Sequence, residues 1–351
     1  MKTSNFNINK LVRPTVAKLK PYSSARDEYV SDGSKMIFLD ANENPYENGV
    51  NRYPDPQQRS LKSVLAEQNG VSESQILLGN GSDEVLDLIF RAFCEPGQDS
   101  VITLPPTYGM YKVLANINNI REQEVLLTPS FEPDVTAVLA AVTDTSKIIF
   151  LCSPNNPTGN VFSPEKITAI IEGFNGLVVI DEAYVDFADT PSWITKLETY
   201  PNLIITQTLS KAYGMAGIRL GLCFASKEII GVLNKIKPPY NVNELTQQRA
   251  LERVNDTQTV SKEVKAILDE RKKLLEALTK VSFVTKIYAT DANFVLAKVD
   301  DANKRYEQLL AHGIVIRNRT TQPLCENTLR FTVGKEEENR KLIEILKRIE
   351  N

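Results

Sequence analysis

From about Gln75 to Ser226 the chain repeats one pattern: a short apolar run, a polar or glycine-rich turn, then a stretch with helical periodicity. The runs are Ile76-Leu77-Leu78, Val101-Ile102-Thr103-Leu104, Ile148-Ile149-Phe150-Leu151, Leu177-Val178-Val179-Ile180, Leu203-Ile204-Ile205-Thr206 and Leu220-Gly221-Leu222-Cys223-Phe224. Continuous apolar runs without polar alternation suit strands buried on both faces, and strands separated by helices pair in parallel. The pattern therefore predicts an α/β domain built on a mostly parallel sheet.

After Lys237-Pro238-Pro239-Tyr240 the texture changes to long charged amphipathic helices through about Lys280. The strand-like runs Phe294-Val295-Leu296, Ile314-Val315-Ile316 and Leu329 to Val333 follow, and then a closing charged helix. This predicts a second, smaller α+β domain. The expected division is 1–40 as an N-terminal segment packing with the small domain, 41–240 as the large domain, and 241–351 as the small one.

Composition narrows the function. With 41 basic and 44 acidic residues and a net charge of −3, the chain has no electrostatic footprint for nucleic acid or anionic lipid. No apolar stretch is long enough to cross a bilayer, and the polar Met1–Lys20 segment lacks a signal-peptide core, so a cytoplasmic location is expected. Cys94, Cys152, Cys223 and Cys325 are widely spaced without a Cys-x-x-Cys pair, which suits reduced core thiols and neither a disulfide framework nor a zinc site. His312 is the sole histidine. It reads as a helix-end residue, and its solitude excludes His-rich metal sites.

Ligands of open α/β sheets bind beyond the carboxyl ends of the strands. After the first run, Gly79-Asn80-Gly81-Ser82-Asp83-Glu84 leads into a helix with Ser82 as its expected N-cap; such a turn exposes N–H groups to a phosphate, or simply caps the helix. After Ile148–Leu151 comes the rigid turn Cys152-Ser153-Pro154-Asn155-Asn156-Pro157-Thr158-Gly159. The run Leu177–Ile180 ends in Asp181-Glu182-Ala183-Tyr184. A carboxylate there calls for a cationic partner, whether a protonated pyridine nitrogen, magnesium or arginine, unless it is an N-cap. After Leu203–Thr206, Lys211 sits among small residues between a strand end and a turn, where burial can keep its amine near its neutral form, as Schiff-base chemistry requires. Arg219 is close by and can bind phosphate bidentately, completing a cup with Ser210 and the Gly81 turn.

Ser210-Lys211, Ala216-Gly217, Arg219 and Gly221 together resemble the cofactor-lysine signature of the fold-type I aminotransferases dependent on pyridoxal 5'-phosphate (PLP). Six such matches at background usage arise by chance in on the order of one window in ten million. Asn156-Pro157-Thr158-Gly159 and Asp181-Glu182-Ala183-Tyr184 match the same family in order. Within it, the chain is most similar to the histidinol-phosphate aminotransferases over essentially its whole length, including Leu19 to Arg26, Asp40 to Pro45, Arg52-Tyr53-Pro54-Asp55, Pro105 to Tyr111 and Leu329 to Gly334. A short spacing between Asn44-Pro45-Tyr46 and Arg52-Tyr53-Pro54 is the clearest departure, and bears on the tip that carries Tyr53.

The resemblance implies a large domain with a mostly parallel seven-stranded sheet plus the smaller α+β domain. It implies that Lys211 carries the cofactor as a Schiff base and moves the proton, that Asp181 pairs with the pyridine nitrogen, that Tyr184 and Asn156 bond the phenolic oxygen, and that Tyr108 stacks on the ring. Gly81, Ser82, Asp83, Thr208, Ser210 and Arg219 surround the cofactor phosphate, joined by Tyr53 from a second subunit of a homodimer. Arg330, Arg317, Asn156 and Tyr22 receive the substrate; Arg319 is so near Arg317 that strand alternation points both the same way. The implied reaction converts L-histidinol phosphate and 2-oxoglutarate to imidazole acetol phosphate and L-glutamate. Aromatic amino acid transamination and decarboxylation of a phosphorylated amino acid share the same cofactor signature. A non-enzymatic, PLP-sensing role would need a lost lysine or an added effector domain.

Overall fold

The computed structural model of the chain describes residues 6–21 and 36–349. Seven strands form the central sheet: β1 (Ile76–Asn80), β2 (Ser100–Thr103), β3 (Arg121–Glu124), β4 (Ser146–Cys152), β5 (Leu177–Asp181), β6 (Leu203–Thr208) and β7 (Leu220–Ala225), in the order β1-β7-β6-β5-β4-β2-β3. All six apolar runs become strands. The seventh, β3, is the polar edge Arg-Glu-Gln-Glu, whose sequence gives no apolar signal because one side of it faces solvent.

Neighbours are parallel except around β7, which is antiparallel to both β1 and β6. The reversal has a simple cause. A parallel return needs a crossover of a dozen or more residues, usually helical, whereas the segment 209–219 holds one short turn of 3₁₀ helix, Ala216–Ile218.

Successive strand residues feed two cores. Ile102, Ile149, Leu151, Ile180, Ile205 and Phe224 face one side, and Val101, Ile148, Phe150, Val179, Ile204 and Cys223 face the other. Burial on both faces explains the near absence of polar residues in these strands. The helix Ser82–Phe93 covers the second face with Val85, Leu88, Ile89, Ala92 and Phe93.

The smaller unit is a four-stranded antiparallel sheet, β10-β11-β9-β8, made of β8 (Val284–Ile287), β9 (Phe294–Val299), β10 (Arg317–Asn318) and β11 (Thr328–Thr332). The helices Thr257–Leu278, Ala302–Ala311 and Glu336–Arg348 accompany it, with Leu274, Leu309 and Leu346 in its core. The run Ile314–Ile316 does not form the expected strand: Val315 is 74% exposed, and pairing begins only at Arg317. His312 caps the helix Ala302–Ala311, its Nδ1 lying 2.8 Å from the Gln308 carbonyl, the helix-end role expected of it.

Two boundaries differ from expectation. The helix Glu244–Asn255 stays with the large unit, where Ala250 and Val254 join the core that contains Leu61 and Leu65. Val12 and Val16 of the N-terminal segment enter the core on the helix-covered face of the large sheet, and Arg13 N–H donates to the Ala92 carbonyl at 3.0 Å. This part of the segment therefore packs on the large unit, its apolar residues following the nearest apolar face.

Candidate active site

A cleft of about 570 Å³ opens between the two units, along one edge of the large sheet. The strand directions explain its lining. β1, β2, β4, β5 and β6 all point their carboxyl ends at this edge, so Ser82, Tyr108, Asn156, Asp181 and Lys211 arrive from five different strand ends. The reversed β7 begins there, which adds Arg219. The small unit contributes Arg317, Arg319, Gln322 and Arg330 from the opposite wall.

Asp181 closes β5 and is buried. Burial raises its carboxyl to about 6, while hydrogen bonds from the Tyr111 hydroxyl and the Ala183 N–H, at 2.9 and 3.2 Å, pull the other way. It is a strand-end acceptor and caps no helix. Tyr111 is itself fully buried and stacks on Phe150 at 4.8 Å, so the donor has little freedom to turn away. Tyr111 stands inside the segment Pro105 to Tyr111, but nothing in that segment's pattern marks its pairing with Asp181.

Lys211 follows β6 and is reachable from the cleft. Its walls nevertheless strip enough water to lower the amine from its ordinary value, the Arg330 charge adds to this, and Asp181 opposes it. The amine lies 5.6 Å from the centre of the buried Tyr184 ring, which packs edge-on to Phe294. Desolvation also holds the Tyr184 phenol well above its usual range.

At the other end of the cleft the helix Ser82–Phe93 begins. Gly81, at φ +80°, is its N-cap, one position before the expected cap Ser82, which is instead the first helical residue. A left-handed residue was needed to turn the chain here, and glycine supplies it. Gly221 on β7 meets the same turn so closely that a Cβ would stand 2.2 Å from the Ser82 nitrogen. Arg219 holds φ +55°, uncommon for a side-chain-bearing residue, and its guanidinium is 3.5 Å from the Asp83 carboxylate. The Tyr108 hydroxyl donates to the same carboxylate at 2.9 Å. Thr208 and Ser210 face each other at 3.0 Å between their hydroxyls.

On the small-unit wall, β10 and β11 place Arg317 opposite Arg330. Arg330 donates to the Asn156 amide oxygen and lies 4.9 Å from the Phe294 ring. Burial, then the Arg319 charge, lowers Arg330 to about 10. Arg317 and Arg319 both line the cleft, as alternation requires.

Two further expected site residues are not among the cleft's described lining residues. Tyr53 is half-exposed and outside this cleft, its ring stacked on Tyr240 at 4.5 Å. Tyr22 lies outside the described residues. Gln322 and Val113 line the cleft without any motif having singled them out, and Thr107 and Met110 do so from the Pro105–Tyr111 segment, where no role was assigned to them.

The aminotransferase class I and II family matches this chain over residues 34–346. The chain is 64% identical over 345 residues to a histidinol-phosphate aminotransferase of Flavobacterium johnsoniae, covering 98% of this chain and 99% of that protein. Among solved structures, the histidinol-phosphate aminotransferase of Clostridium acetobutylicum superposes with a TM-score of 0.80 at 26% identity, over 86% of this chain and 91% of that one. That of Sinorhizobium meliloti, in complex with pyridoxal-5'-phosphate, gives 0.78 at 25% identity, over 85% and 83%. The chain belongs to the class I and II aminotransferases and, within them, to the histidinol-phosphate aminotransferase family.

Proposed function

We propose that this chain transfers the amino group of L-histidinol phosphate to 2-oxoglutarate, giving imidazole acetol phosphate and L-glutamate, with PLP as cofactor. The reading rests on one observation: a lysine of lowered basicity, a buried carboxylate and an arginine wall share a single cleft. The near full-length similarity to histidinol-phosphate aminotransferases supports the substrate.

The residues fit the cofactor. The Tyr108 hydroxyl and Arg219 already converge on a carboxylate, that of Asp83, so this end accepts negatively charged oxygen. Gly81, Ser82, Thr208, Ser210 and Arg219 would hold the phosphate, with Asp83 fixing the donors around it. Asp181 would accept a proton-bearing ring nitrogen, and Tyr184 and Asn156 would bond the ring oxygen beside the Tyr108 ring. Bound there, PLP supplies an electron-accepting ring that stabilises negative charge at the substrate carbon bearing the amino group.

The chain's own residues do the rest. Lys211 is the attachment point, and as an amine of lowered basicity it can take the proton from that carbon and return one. Asp181, ionised beside a cation, keeps the ring nitrogen charged. Arg330 and Arg317 bind the substrate's anionic end, phosphate in one half-reaction and carboxylate in the other, and Asn156 anchors Arg330. Tyr22 would enclose the imidazole.

We further infer a homodimer in which Tyr53 reaches the partner's site. Tyr53 borders a shallow groove with Val50 and Leu245, and Ile37, Leu39 and Tyr46 are more than 80% exposed, apolar area that suits a second copy. In place of the expected 41–240 and 241–351, we infer a large unit of 41–255 and a small one of 256–349, since the helix Glu244–Asn255 packs into the large unit's core. A cytoplasmic setting accords with four free cysteines, and no helix among the described residues is long and apolar enough to cross a membrane.

Steady-state assays over a panel of amino donors should rank L-histidinol phosphate among the best; a poor rank overturns the substrate assignment. Borohydride reduction and peptide mapping should leave the cofactor on Lys211, and its recovery on another lysine overturns the site.

A further inference from the structure

The small-unit wall carries more positive charge than a carboxylate needs. Arg317, Arg319 and Arg330 all line it. The charged and titratable groups acting on Arg319 are Arg317, Tyr184 and Cys325, and those acting on Arg330 are Arg319, Tyr184 and Arg317, with no carboxylate among them. The Nε atoms of Arg319 and Arg330 are buried without a hydrogen-bond partner. Buried, unpaired guanidinium N–H groups are costly, so an arrangement that keeps two of them is completed by a ligand.

The backbone holds Arg319 for that role. Its N–H donates to the Thr328 carbonyl at 2.9 Å, extending the ladder past β10, and its carbonyl accepts from the Gln322 N–H at 2.9 Å. The guanidinium therefore projects from a stem fixed on both sides, which lowers the ordering cost of binding.

We propose that Arg319 is the third cation of the substrate pocket and sets its preference for a phosphate dianion over a carboxylate. The proposal rests on reading the cleft as the aminotransferase site. A carboxylate offers two oxygens and one charge, which a single arginine fork such as Arg330 satisfies. A phosphate offers three oxygens and close to two charges, and so engages a second fork. Arg330 and Arg317 then serve both half-reactions, whereas Arg319 acts chiefly in the one that handles the phosphate-bearing substrate.

The test compares wild type with Arg319→Gln and Arg319→Lys, all as holoenzyme. For Arg319→Gln the KM for L-histidinol phosphate should rise about 10- to 100-fold with kcat within about threefold, the loss expected for a charged hydrogen bond. The KM for L-glutamate should rise less than about threefold. Calorimetry with inorganic phosphate supplies a second readout. Wild-type affinity should fall between pH 7.5 and 5.5, as phosphate takes up its second proton near pH 6. The Arg319→Gln affinity should be weaker and flatter across that range. Arg319→Lys keeps the charge and loses the fork, so it should fall between the two. Equal KM rises for both substrates, or phosphate binding unchanged in either variant, overturn the proposal. If wild type ignores L-histidinol phosphate, the substrate assignment fails instead, and the calorimetry still decides whether Arg319 reads phosphate.

Discussion

At Asp181, burial and hydrogen bonding oppose each other, and burial prevails, leaving the carboxyl near 6. Tyr111 is a main restraint on that rise, so Tyr111→Phe should lift Asp181 further. The acid limb of the kcat/KM profile should then move to higher pH; an unmoved limb would show that Asp181 does not govern it. Lys211→Ala should lower turnover by at least about 10²- to 10⁴-fold, the usual worth of a positioned proton-transfer group, as read in single-turnover kinetics. Lys211 and Asp181 were legible in the sequence because each follows an apolar run, where strand-end chemistry concentrates. Tyr111 was not, since a buried aromatic on a helix reads as core until its hydroxyl is seen to reach a carboxylate from another strand. Arg319 could be placed only as facing the same way as Arg317, because two alternating arginines look alike until burial separates them.

Among the elements, the ends of β5 and β6 are pinned by Glu182, a residue of the Asp181 motif to which the sequence assigned no role. It is buried and accepts from the Ser192 hydroxyl, the Trp193 N–H and the Gln207 side chain at 2.5, 2.7 and 2.9 Å. Burial raises it from its ordinary 4.5 to about 7. A raised carboxyl favours the folded state while protonated, and that contribution is lost as pH climbs from about 4.5 through 7. The Tm advantage of wild type over Glu182→Gln should therefore shrink between pH 5 and 8; a constant difference would contradict this. Gly221→Ala should destabilise by about 1–3 kcal/mol, the range for overpacking, and weaken cofactor retention because the methyl would displace the Ser82 turn. Thermal melts with and without added PLP check both. The buried strands were readable from their apolar runs, whereas β3, β8 and β10 were not. β3 is a charged edge, and β10 is defined by its partner β11, with no apolar run of its own.

For the whole molecule, the homodimer makes a sharp claim about who completes each site. Lys211→Ala and Tyr53→Ala variants, each weak alone, should regain activity when mixed and allowed to exchange, approaching about a quarter of wild-type sites under random two-fold pairing. No recovery, with exchange verified, would remove Tyr53 from the partner's site. The mostly parallel sheet and the existence of a second unit were visible in the changing texture of the chain. The attachment of Glu244–Asn255 and of Val12 and Val16 was not, because it depends on which apolar face happens to be nearest in space. Strand β7 runs backward relative to both of its neighbours. Because it starts where the other strands finish, Lys211 and Arg219 sit toward opposite ends of the single connection 209–219. In the proposed reading, one continuous piece of chain thus gauges the distance between the cofactor's reactive carbon and its phosphate. That loop is a ruler: adding or removing a residue in it would miscalibrate the site while leaving every contacting side chain intact.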